Sequence, residues 1–231
     1  MDGSRRCLGC LEELGEAPAC PHCGVAREGL LAAPGQLAPG TRLGEYLLGR
    51  VLGQGGFGIT YLAWDFSMDR KVAIKEYHPR ELVSRGTESP ELHVLTQDGK
   101  QLFEFGVQKF QDEARMLARF HDHPGIVSVY RFFSANGTAY MVMEFLEGMT
   151  FKEFLAAHGG KISFEQALAV LTPVMDALRA LHTQHLFHRD IAPDNIYITQ
   201  QRRVKLVDFG AAREYAGSQS KSLSVILKEG Y

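Results

Sequence analysis

A glycine-rich run, Gly53-Gln54-Gly55-Gly56-Phe57-Gly58, separates two segments of strand-forming sequence. The flanking segments, 46–52 and 59–64, are short and rich in apolar, β-branched or aromatic residues, which is typical of β-strands. In a dinucleotide-binding fold a helix would begin directly after the glycines; here a strand follows them, which argues against that fold. The run is either the turn of an ordinary β-hairpin or a hairpin whose backbone amides close over phosphate groups.

The remainder of the chain changes from strand-rich to helix-rich sequence. Further strands are predicted at 71–77, 126–133, 138–145, 195–199 and 204–207, and helices at 107–120 and 163–184. The second helix carries a broad apolar stripe, and Ser163 with Gln166 matches a capping box at its start. Pro173 inside this helix can kink it. This order of elements predicts two lobes with a cleft between them.

Lys75 ends the apolar strand sequence Val72-Ala73-Ile74-Lys75. A lysine in this position usually extends its charge to solvent at the edge of a sheet. It could instead face the cleft and hold phosphate oxygens, and it would then need a carboxylate to fix its position. Glu113, on the first predicted helix, is the candidate, although a solvated helix charge is the simpler interpretation of that residue.

Two motifs that contain aspartates follow the long helix. The first is His188-Arg189-Asp190-Ile191-Ala192-Pro193-Asp194-Asn195, and the second is Asp208-Phe209-Gly210 at the end of the last strand. Asp190, Asn195 and Asp208 supply hard oxygen ligands, which Mg²⁺ prefers, and a proton acceptor.

Together these motifs resemble the catalytic domain of eukaryotic-type serine/threonine protein kinases, in their bacterial form, over residues 43–231. The resemblance implies an α+β, bilobal fold, with a β-rich N-lobe at 43–147 and an incomplete helical C-lobe at 148–231. It also implies ATP-dependent transfer of a phosphoryl group, with Mg²⁺, to serine or threonine hydroxyls of protein substrates. A zinc-ribbon-like module at 1–25 and a linker at 26–42 precede the kinase domain.

The resemblance assigns a role to each motif residue. Lys75 would hold the α and β phosphates and pair with Glu113, and Asp190 would accept or orient the proton of the substrate hydroxyl. Asn195 and Asp208 would ligate Mg²⁺. Met143 would be the gatekeeper, the backbones of Glu144 and Leu146 would face adenine, and three side chains would sandwich the base. The implied nucleotide-binding residues are Leu52, Gly53, Gly55, Gly56, Phe57, Gly58, Ala73, Lys75, Met143, Glu144, Leu146 and Tyr197.

The sequence departs from the family pattern at two internal positions. Ala192 stands where serine/threonine kinases usually have a lysine that contacts the transferred phosphate. Residues 78–106 form an insertion between Lys75 and Glu113, and Asp98-Gly99 predicts a hairpin turn within 91–105. The insertion is either a surface elaboration or a regulatory contact on the helix that carries Glu113.

The resemblance stops at Tyr231, in the substrate-docking part of the activation segment. It therefore implies a fragment of a longer kinase, whose long helix exposes part of its apolar stripe and which is poorly soluble or inactive by itself. In similar kinases an arginine such as Arg189 contacts a phosphorylated activation loop. Ser218, Ser220, Ser222 and Ser224 are candidate phosphate acceptors, unless they belong to an unregulated serine-rich loop.

The four cysteines form two Cys-x-x-Cys pairs near the N-terminus, Cys7 with Cys10 and Cys20 with Cys23. This clustering predicts paired metal knuckles in a reducing compartment, because a disulfide scaffold distributes cysteines through the body that it staples. The pairs resemble a short zinc ribbon with a structural Zn²⁺; the alternative is four metal-free thiols. Acidic neighbours such as Glu12 and Glu13 disfavour nucleic acid and favour a structural or protein-docking module.

The composition is that of a globular protein, with 45% hydrophobic residues and a formal net charge of −2. This charge gives no reason to expect nucleic acid or an anionic membrane as a partner. No run of about 18 apolar residues is present to span a bilayer, and the N-terminus lacks the apolar core of a secretory signal. A cytoplasmic location is predicted, with a membrane anchor beyond Tyr231 left open. The alternative to an active kinase is a nucleotide-binding scaffold, or pseudokinase, that displays the ribbon to a protein partner.

Overall fold

The computed structural model describes residues 6–14, 17–26, 30–86 and 89–210, together with the backbone of 213–214. The four candidate phosphoacceptor serines lie outside these residues. Within the described ranges, no helix combines the length and the apolarity that crossing a lipid bilayer requires.

An antiparallel sheet of six strands forms the first lobe, in the order β1-β2-β3-β4-β8-β7. The first four strands are β1 (Arg42–Leu43), β2 (Tyr46–Gln54), β3 (Gly58–Asp65) and β4 (Arg70–Tyr77). An additional hairpin, β5 (Val83–Arg85) and β6 (Leu92–Val94), leads into helix α1 (Gln97–Leu117) and a 3-10 turn, Ala118–Phe120. The sheet is completed by β7 (Val129–Ala135) and β8 (Thr138–Glu144).

The second lobe contains two helices and short strands. Its elements are β9 (Gly148–Thr150), α2 (Phe151–Ala157), α3 (Phe164–Thr183), β10 (Leu186–Phe187), a 3-10 helix (Pro193–Asn195), β11 (Ile196–Thr199), β12 (Val204–Leu206) and β13 (Arg213–Glu214). The predicted two-lobed α+β architecture is confirmed.

Strand β4 shows how side-chain alternation divides the core of the first lobe. Val72 and Ile74 are completely buried on one face of the sheet, where Leu37 and Tyr61 belong to the same apolar cluster. Tyr77, on the opposite face, packs in the cluster that contains α1. Because successive residues of a strand point to opposite faces, Lys75 shares the α1 side with Tyr77. The pattern therefore directs Lys75 toward the inside of the molecule.

The segment predicted as a linker, 26–42, lies partly against this sheet. Leu37 is buried, and its backbone N–H donates to the Tyr61 hydroxyl at 3.0 Å. Gln36 donates from its side-chain amide to Gln54, 2.8 Å away, just before the glycine-rich turn. Residues 36–37 thus cover the outer face of β3 and reach the end of β2.

The hairpin that the sequence predicts within 91–105 is wrong. Asp98 and Gly99 lie in the first turn of α1, where the Thr96 side chain accepts a hydrogen bond from the Gly99 N–H at 3.0 Å. This side-chain cap satisfies a backbone donor that the start of a helix leaves unpaired, so α1 begins about ten residues earlier than its apolar periodicity indicates. The hairpin of the insertion is β5–β6, which immediately precedes α1.

Tyr77 anchors the additional turns of α1 to the end of β4. Its ring lies between Phe103 and Phe110, with ring centroids 5.4 and 5.9 Å away. Its hydroxyl occupies the space beside Gly106: a Cβ added to this glycine would lie 1.8 Å from the Tyr77 oxygen. The tyrosine and the glycine together let the helix approach the sheet.

Helix α3 has the predicted capping box, in which Ser163 and Gln166 exchange hydrogen bonds. Its buried residues are Val170, Val174, Ala177 and Leu181. Part of its apolar stripe is exposed, as predicted, among the described residues, where Leu168 is 44% and Met175 53% exposed.

Candidate active site

The glycine-rich turn forms one edge of the cleft between the lobes. A Cβ added to Gly53, Gly55 or Gly56 would meet nothing within 4 Å, and none of these residues has a positive φ. Neither packing nor backbone conformation within the described protein therefore requires glycine at these three positions. Glycine there leaves space for a ligand to approach the backbone closely, and the Gly55 N–H donates to the Gly58 carbonyl at 2.9 Å across the turn. Gly58 differs, since its Cβ would lie 2.6 Å from the Glu76 carbonyl oxygen.

The tip of the turn is held by the segment that follows β4. The His78 N–H donates to the Phe57 carbonyl at 2.9 Å, and the Arg80 N–H donates to the Gly56 carbonyl at 3.2 Å. The Phe57 side chain is 53% exposed. These bonds use carbonyls of the turn and do not involve its amides.

Lys75 lies between two carboxylates that come from different parts of the fold. Its Nζ is 3.5 Å from Glu113 Oε1, on α1, and 2.8 Å from Asp208 Oδ1, directly after β12. The charge of Lys75 holds the pKa of Asp208 below its usual range. Burial opposes the charged form of Lys75, but Glu113 and then Asp208 outweigh it and raise the pKa of the amine. Lys75 and Asp208 are therefore both charged at neutral pH, as phosphate and metal binding require.

Asp190 and Asn195 lie together at the opposite wall. Asn195 Nδ2 donates to both the carbonyl and the carboxylate Oδ2 of Asp190, each at 2.9 Å. The Val207 N–H donates to the Asn195 carbonyl at 3.0 Å, which fixes this loop beside the strand that leads to Asp208. The structure therefore brings the two sequence motifs side by side.

Two residues of these motifs adopt the left-handed backbone region, Arg189 with φ 65° and Asp208 with φ 57°. Residues other than glycine hold this conformation only where the surrounding structure enforces it, and such positions cluster at functional sites. The strain directs the Asp208 carboxylate toward Lys75.

Sequence reasoning gave His188 and Phe209 no role, yet both support the site. Phe209 is 1% exposed and belongs to the main apolar cluster. The His188 ring packs on it with centroids 4.5 Å apart, and His188 Nε2 lies 3.3 Å from the Val207 carbonyl oxygen. They hold the neighbouring Asp190 and Asp208 in place. The available signal was an aromatic side chain one or two residues from a motif aspartate in each case.

Residues 144–146, at the end of β8 and before β9, connect the two lobes and are called the hinge below. The Glu144 carboxylate accepts hydrogen bonds from the Ser128 N–H at 2.8 Å and from Lys205 Nζ at 2.6 Å. The Leu146 carbonyl accepts from the Tyr197 hydroxyl at 3.2 Å. The Glu144 side chain is thus structural. The Glu144 N–H also donates to the Ser128 carbonyl at 2.9 Å, so the predicted contact with adenine would have to use the Glu144 carbonyl.

The other predicted adenine contacts lie on elements of both lobes. Leu52 is on β2, Ala73 on β4 beside Met143 of β8, and Tyr197 on β11. Ala73 is nearly completely buried, whereas Leu52 and Met143 are half-buried. Their roles toward a nucleotide stay a prediction.

Ala192 caps the 3-10 helix that carries Asn195, whose N–H donates to the Ala192 carbonyl at 2.9 Å. The position lies two residues after Asp190, and its methyl group supplies no charge. The loop therefore carries no positive charge at position 192, where the resemblance leads us to expect a lysine.

The four cysteines form a cluster separate from the cleft. Their Sγ atoms all lie within 4.8 Å of one another, with Cys7 and Cys23 3.5 Å apart and Cys10 and Cys20 3.6 Å apart. A tetrahedral zinc ion with bonds of about 2.3 Å separates its sulfurs by about 3.8 Å. A disulfide would instead require about 2.05 Å, so the spacing fits a shared cation.

The two knuckles have the same backbone shape. Leu11 N–H donates to the Cys7 carbonyl at 2.7 Å, and Gly24 N–H donates to the Cys20 carbonyl at 2.8 Å. Leu11 and Gly24 both have positive φ, 61° and 74°. Glycine reaches this conformation readily, whereas leucine needs contacts that hold it there.

The cysteine pKa values are unequal within the cluster. Burial raises the pKa of Cys10 to about 12. Burial acts in the same direction on Cys20, but hydrogen bonds from the His22 and Cys23 backbone and from the Cys7 and Cys10 side chains lower its pKa to about 6. Cys20 therefore ionises more readily than Cys10, and a divalent metal supplies the charge that several thiolates need.

A lysine between two carboxylates, beside an Asp–Asn pair and under an open glycine turn, defines a phosphoryl-transfer type of site on a bilobal scaffold. The protein kinase domain family matches residues 46–231, and the chain belongs to that family.

Relatives agree with this assignment. The chain is 36% identical over 169 residues to the serine/threonine-protein kinase PrkC of Bacillus subtilis, covering 73% of this chain and 23% of that protein. It is 35% identical over 178 residues to the serine/threonine-protein kinase PknA of Mycobacterium tuberculosis, covering 75% of this chain and 36% of that protein. Among solved structures, the apo form of PpkA-294 matches with a TM-score of 0.71 and 38% identity, over 76% of this chain and 62% of that one. The chain thus spans about a quarter to a third of the length of these two curated relatives.

Proposed function

We propose that the protein is an ATP- and Mg²⁺-dependent kinase that phosphorylates serine or threonine hydroxyls of protein substrates. The observation that carries this proposal is the placement of Lys75 Nζ between Glu113 and Asp208, 3.5 and 2.8 Å away. The family and its named serine/threonine kinases support the activity and its cofactors.

The residues present fit the two cofactors. The open positions at Gly53, Gly55 and Gly56 leave space for phosphates beside the backbone. Asp208 offers a carboxylate, and Asn195, whose amide nitrogen is directed to Asp190, offers its amide oxygen as a second ligand for Mg²⁺. When bound, ATP supplies the phosphoryl group and Mg²⁺ the positive charge that offsets its oxygens.

Residues of the protein would then position the phosphates and accept the proton of the substrate hydroxyl. Lys75, held by Glu113, binds phosphate oxygens. Asp190, oriented by Asn195, would accept a hydrogen bond from the substrate hydroxyl and take its proton at a carboxylate oxygen. The hydroxyl oxygen would bond to the γ-phosphorus of ATP while the bond from that phosphorus to the bridging oxygen breaks, and ADP would leave. Because phosphoryl transfer depends mainly on positioning and charge, loss of either the Lys75 amine or the Asp190 carboxylate should abolish most of the transfer rate.

The test is transfer of radiolabelled γ-phosphate by the full-length protein with Mg·ATP. Asp190→Asn should remove the transfer while Asp176→Asn, an exposed substitution of the same kind on α3, retains it. Label on serine or threonine, shown by phosphoamino-acid analysis, supports the proposal. Intact binding of Mg·ATP without transfer in any of the three proteins would instead establish the nucleotide-binding scaffold.

We further propose that Cys7, Cys10, Cys20 and Cys23 bind one structural Zn²⁺. Sulfur spacings of 3.5 and 3.6 Å and matching knuckle turns support it. Reduced cysteines of this kind fit the predicted cytoplasmic location. The protein should contain about one zinc per chain, and cobalt substitution should give the absorption of a tetrahedral thiolate site. Cys20→Ser should lose the metal; zinc-free wild-type protein would contradict the proposal.

The domain limits are also part of the proposal: a cysteine module at 1–25, a connection at 26–42 and the kinase domain at 43–231. The family match from residue 46 supports the last boundary.

A further inference from the structure

The first cysteine knuckle is joined to the outer side of the β2–β3 hairpin by backbone contacts. The Arg50 N–H donates to the Leu8 carbonyl at 2.8 Å, and Arg50 Nε donates to the Gly9 carbonyl at 3.0 Å. The β2–β3 pairing is irregular between Leu48 and Val51, which frees the Arg50 N–H from the ladder. Strand β2 is thus shaped to receive the knuckle.

The close approach of the first cysteine knuckle to β2 also restricts the sequence of that strand. A Cβ added to Gly49 would lie 2.7 Å from the Leu8 carbonyl oxygen. That atom belongs to the backbone and cannot rotate away. A glycine at 49 is therefore required by the docked knuckle.

An apolar cluster continues from the knuckle to the nucleotide cleft. Leu11 is 0% exposed and packs with Leu47, Leu62 and Trp64 of the sheet. Leu52 and Phe145 pack against the same cluster. Leu52 immediately precedes the glycine-rich turn, and Phe145 immediately follows Glu144 in the hinge. The cluster that contains Leu11 thus reaches both edges of the predicted adenine site.

Charged side chains also connect the cysteine module to the sheet and to the region of the hinge. Lys71 Nζ lies 2.6 Å from Glu12 of the module and 3.3 Å from Glu147, after the hinge. The Arg6 guanidinium lies over the Trp64 ring, 3.3 Å from its centroid. Lys71 therefore links the module, β4 and the hinge.

We infer that the metal-bound cysteine module is an internal clamp whose docking on β2, β3 and the hinge sets the affinity of the kinase for Mg·ATP. The inference rests on the proposed zinc site and nucleotide site. Cys7 and Cys10 bracket Leu8 and Gly9, and Leu11 follows directly, so the metal that fixes the knuckle also fixes the two docking carbonyls and the position of Leu11. Because the binding energy of a structural zinc ion is folding energy, loss of the metal releases this surface.

The test measures binding of Mg·ATP and zinc content in four forms of the full-length protein. Cys20→Ser removes a ligand and leaves the docking residues unchanged. Leu11→Asn removes the buried leucine, retains all four cysteines and suits a positive φ. Leu31→Asn is the matched control, since Leu31 is 91% exposed in the same N-terminal part.

Coupling between two sites typically changes affinity by about 5- to 150-fold. We expect Cys20→Ser and Leu11→Asn each to weaken calorimetric Mg·ATP binding at least about fivefold. Leu11→Asn should keep its zinc, and Leu31→Asn should match the wild type in both measurements. Zinc-loaded Leu11→Asn that binds Mg·ATP as tightly as Leu31→Asn would overturn the inference, and it decides the question even if Cys20→Ser does not fold.

The readouts separate this inference from the proposals beneath it. Phosphoryl transfer does not enter the binding measurement, so a protein that binds Mg·ATP without transferring phosphate refutes the proposed activity alone. Wild-type protein without zinc refutes the zinc proposal and the clamp together, and metal analysis shows this directly.

Discussion

Arg85 and Glu76 form an ion pair that is almost completely withdrawn from solvent, with side chains 3% and 0% exposed. Both carboxylate oxygens also accept hydrogen bonds from tyrosines, Tyr61 at 2.9 Å and Tyr140 at 2.7 Å. Arg85 lies on β5, in the insertion, and donates in addition to the Gly35 carbonyl at 2.8 Å. The insertion is therefore part of the core of the first lobe, which contradicts its interpretation as a mere surface elaboration.

Removing this arginine should be costly, because the buried Glu76 side chain would lose its ionic partner. Arg85→Met should lower the free energy of unfolding by about 3–5 kcal/mol, as measured by urea denaturation. Arg115→Met is the control, since Arg115 pairs with Asp112 at the surface with half of its side chain exposed. Exposed pairs contribute about 0–1 kcal/mol, so equal losses in the two variants would contradict the account.

Lys75→Met should reduce phosphoryl transfer by about 10²- to 10³-fold or more, because the preorganised charge for the phosphates is lost. Lys109→Met, an exposed change of the same kind on α1, should transfer normally. The rates are measured at saturating Mg·ATP. Substantial transfer by a folded Lys75→Met protein would show that this lysine has no catalytic role.

Ala192→Lys should increase the transfer rate at least about tenfold, because a cation near the transferred phosphate stabilises the charge of the transition state. Ala192→Met adds length without charge and separates the two effects. Single-turnover rates of the three proteins provide the comparison. If lysine and methionine act alike at this position, the missing cation does not limit the enzyme.

His78 should make stability dependent on pH. Burial lowers its pKa, Glu76 opposes the shift, and neither ring nitrogen has a hydrogen-bond partner among the described residues. The unfolded chain, with a histidine pKa of about 6.5, binds the proton more readily. Stability is therefore full above pH about 6.5 and falls as the pH decreases below it.

His78→Leu should flatten this part of the profile without removing it, because burial lowers the pKa of His188 as well. Unfolding curves at several pH values between 7 and 5 measure the slope. His93→Leu, on the exposed side of β6, is the control. An unchanged slope in His78→Leu would assign the dependence to other groups.

Local patterns predicted most of the elements. The strands around the glycine turn and the capped start of α3 follow from alternation and from Ser163 with Gln166, signals that need only nearby residues. The start of α1 was mispredicted because Asp98-Gly99 is common both in turns and in a helical first turn. The Thr96 cap, a side-chain contact over three residues, decides between them.

The candidate site was also predictable only in part from the sequence. The motifs identified Lys75, Glu113 and Asp208 through their resemblance to a family, while nothing in their spacing shows that atoms 38 and 133 residues apart lie within 3.5 Å. The contact of Arg50 with Leu8 was equally invisible, since it depends on an irregularity in strand pairing. A charged residue on a buried strand face indicates a buried partner, and this signal for Glu76 was not used in the prediction.

The fit of Tyr77 beside Gly106 restricts how this sequence can vary. A methyl group at position 106 would overlap the tyrosine hydroxyl, which two phenylalanines hold in place. Neither residue can be exchanged for a larger one alone without displacing the helix that carries Glu113. Among descendants of this gene, the two positions should change together or remain as they are.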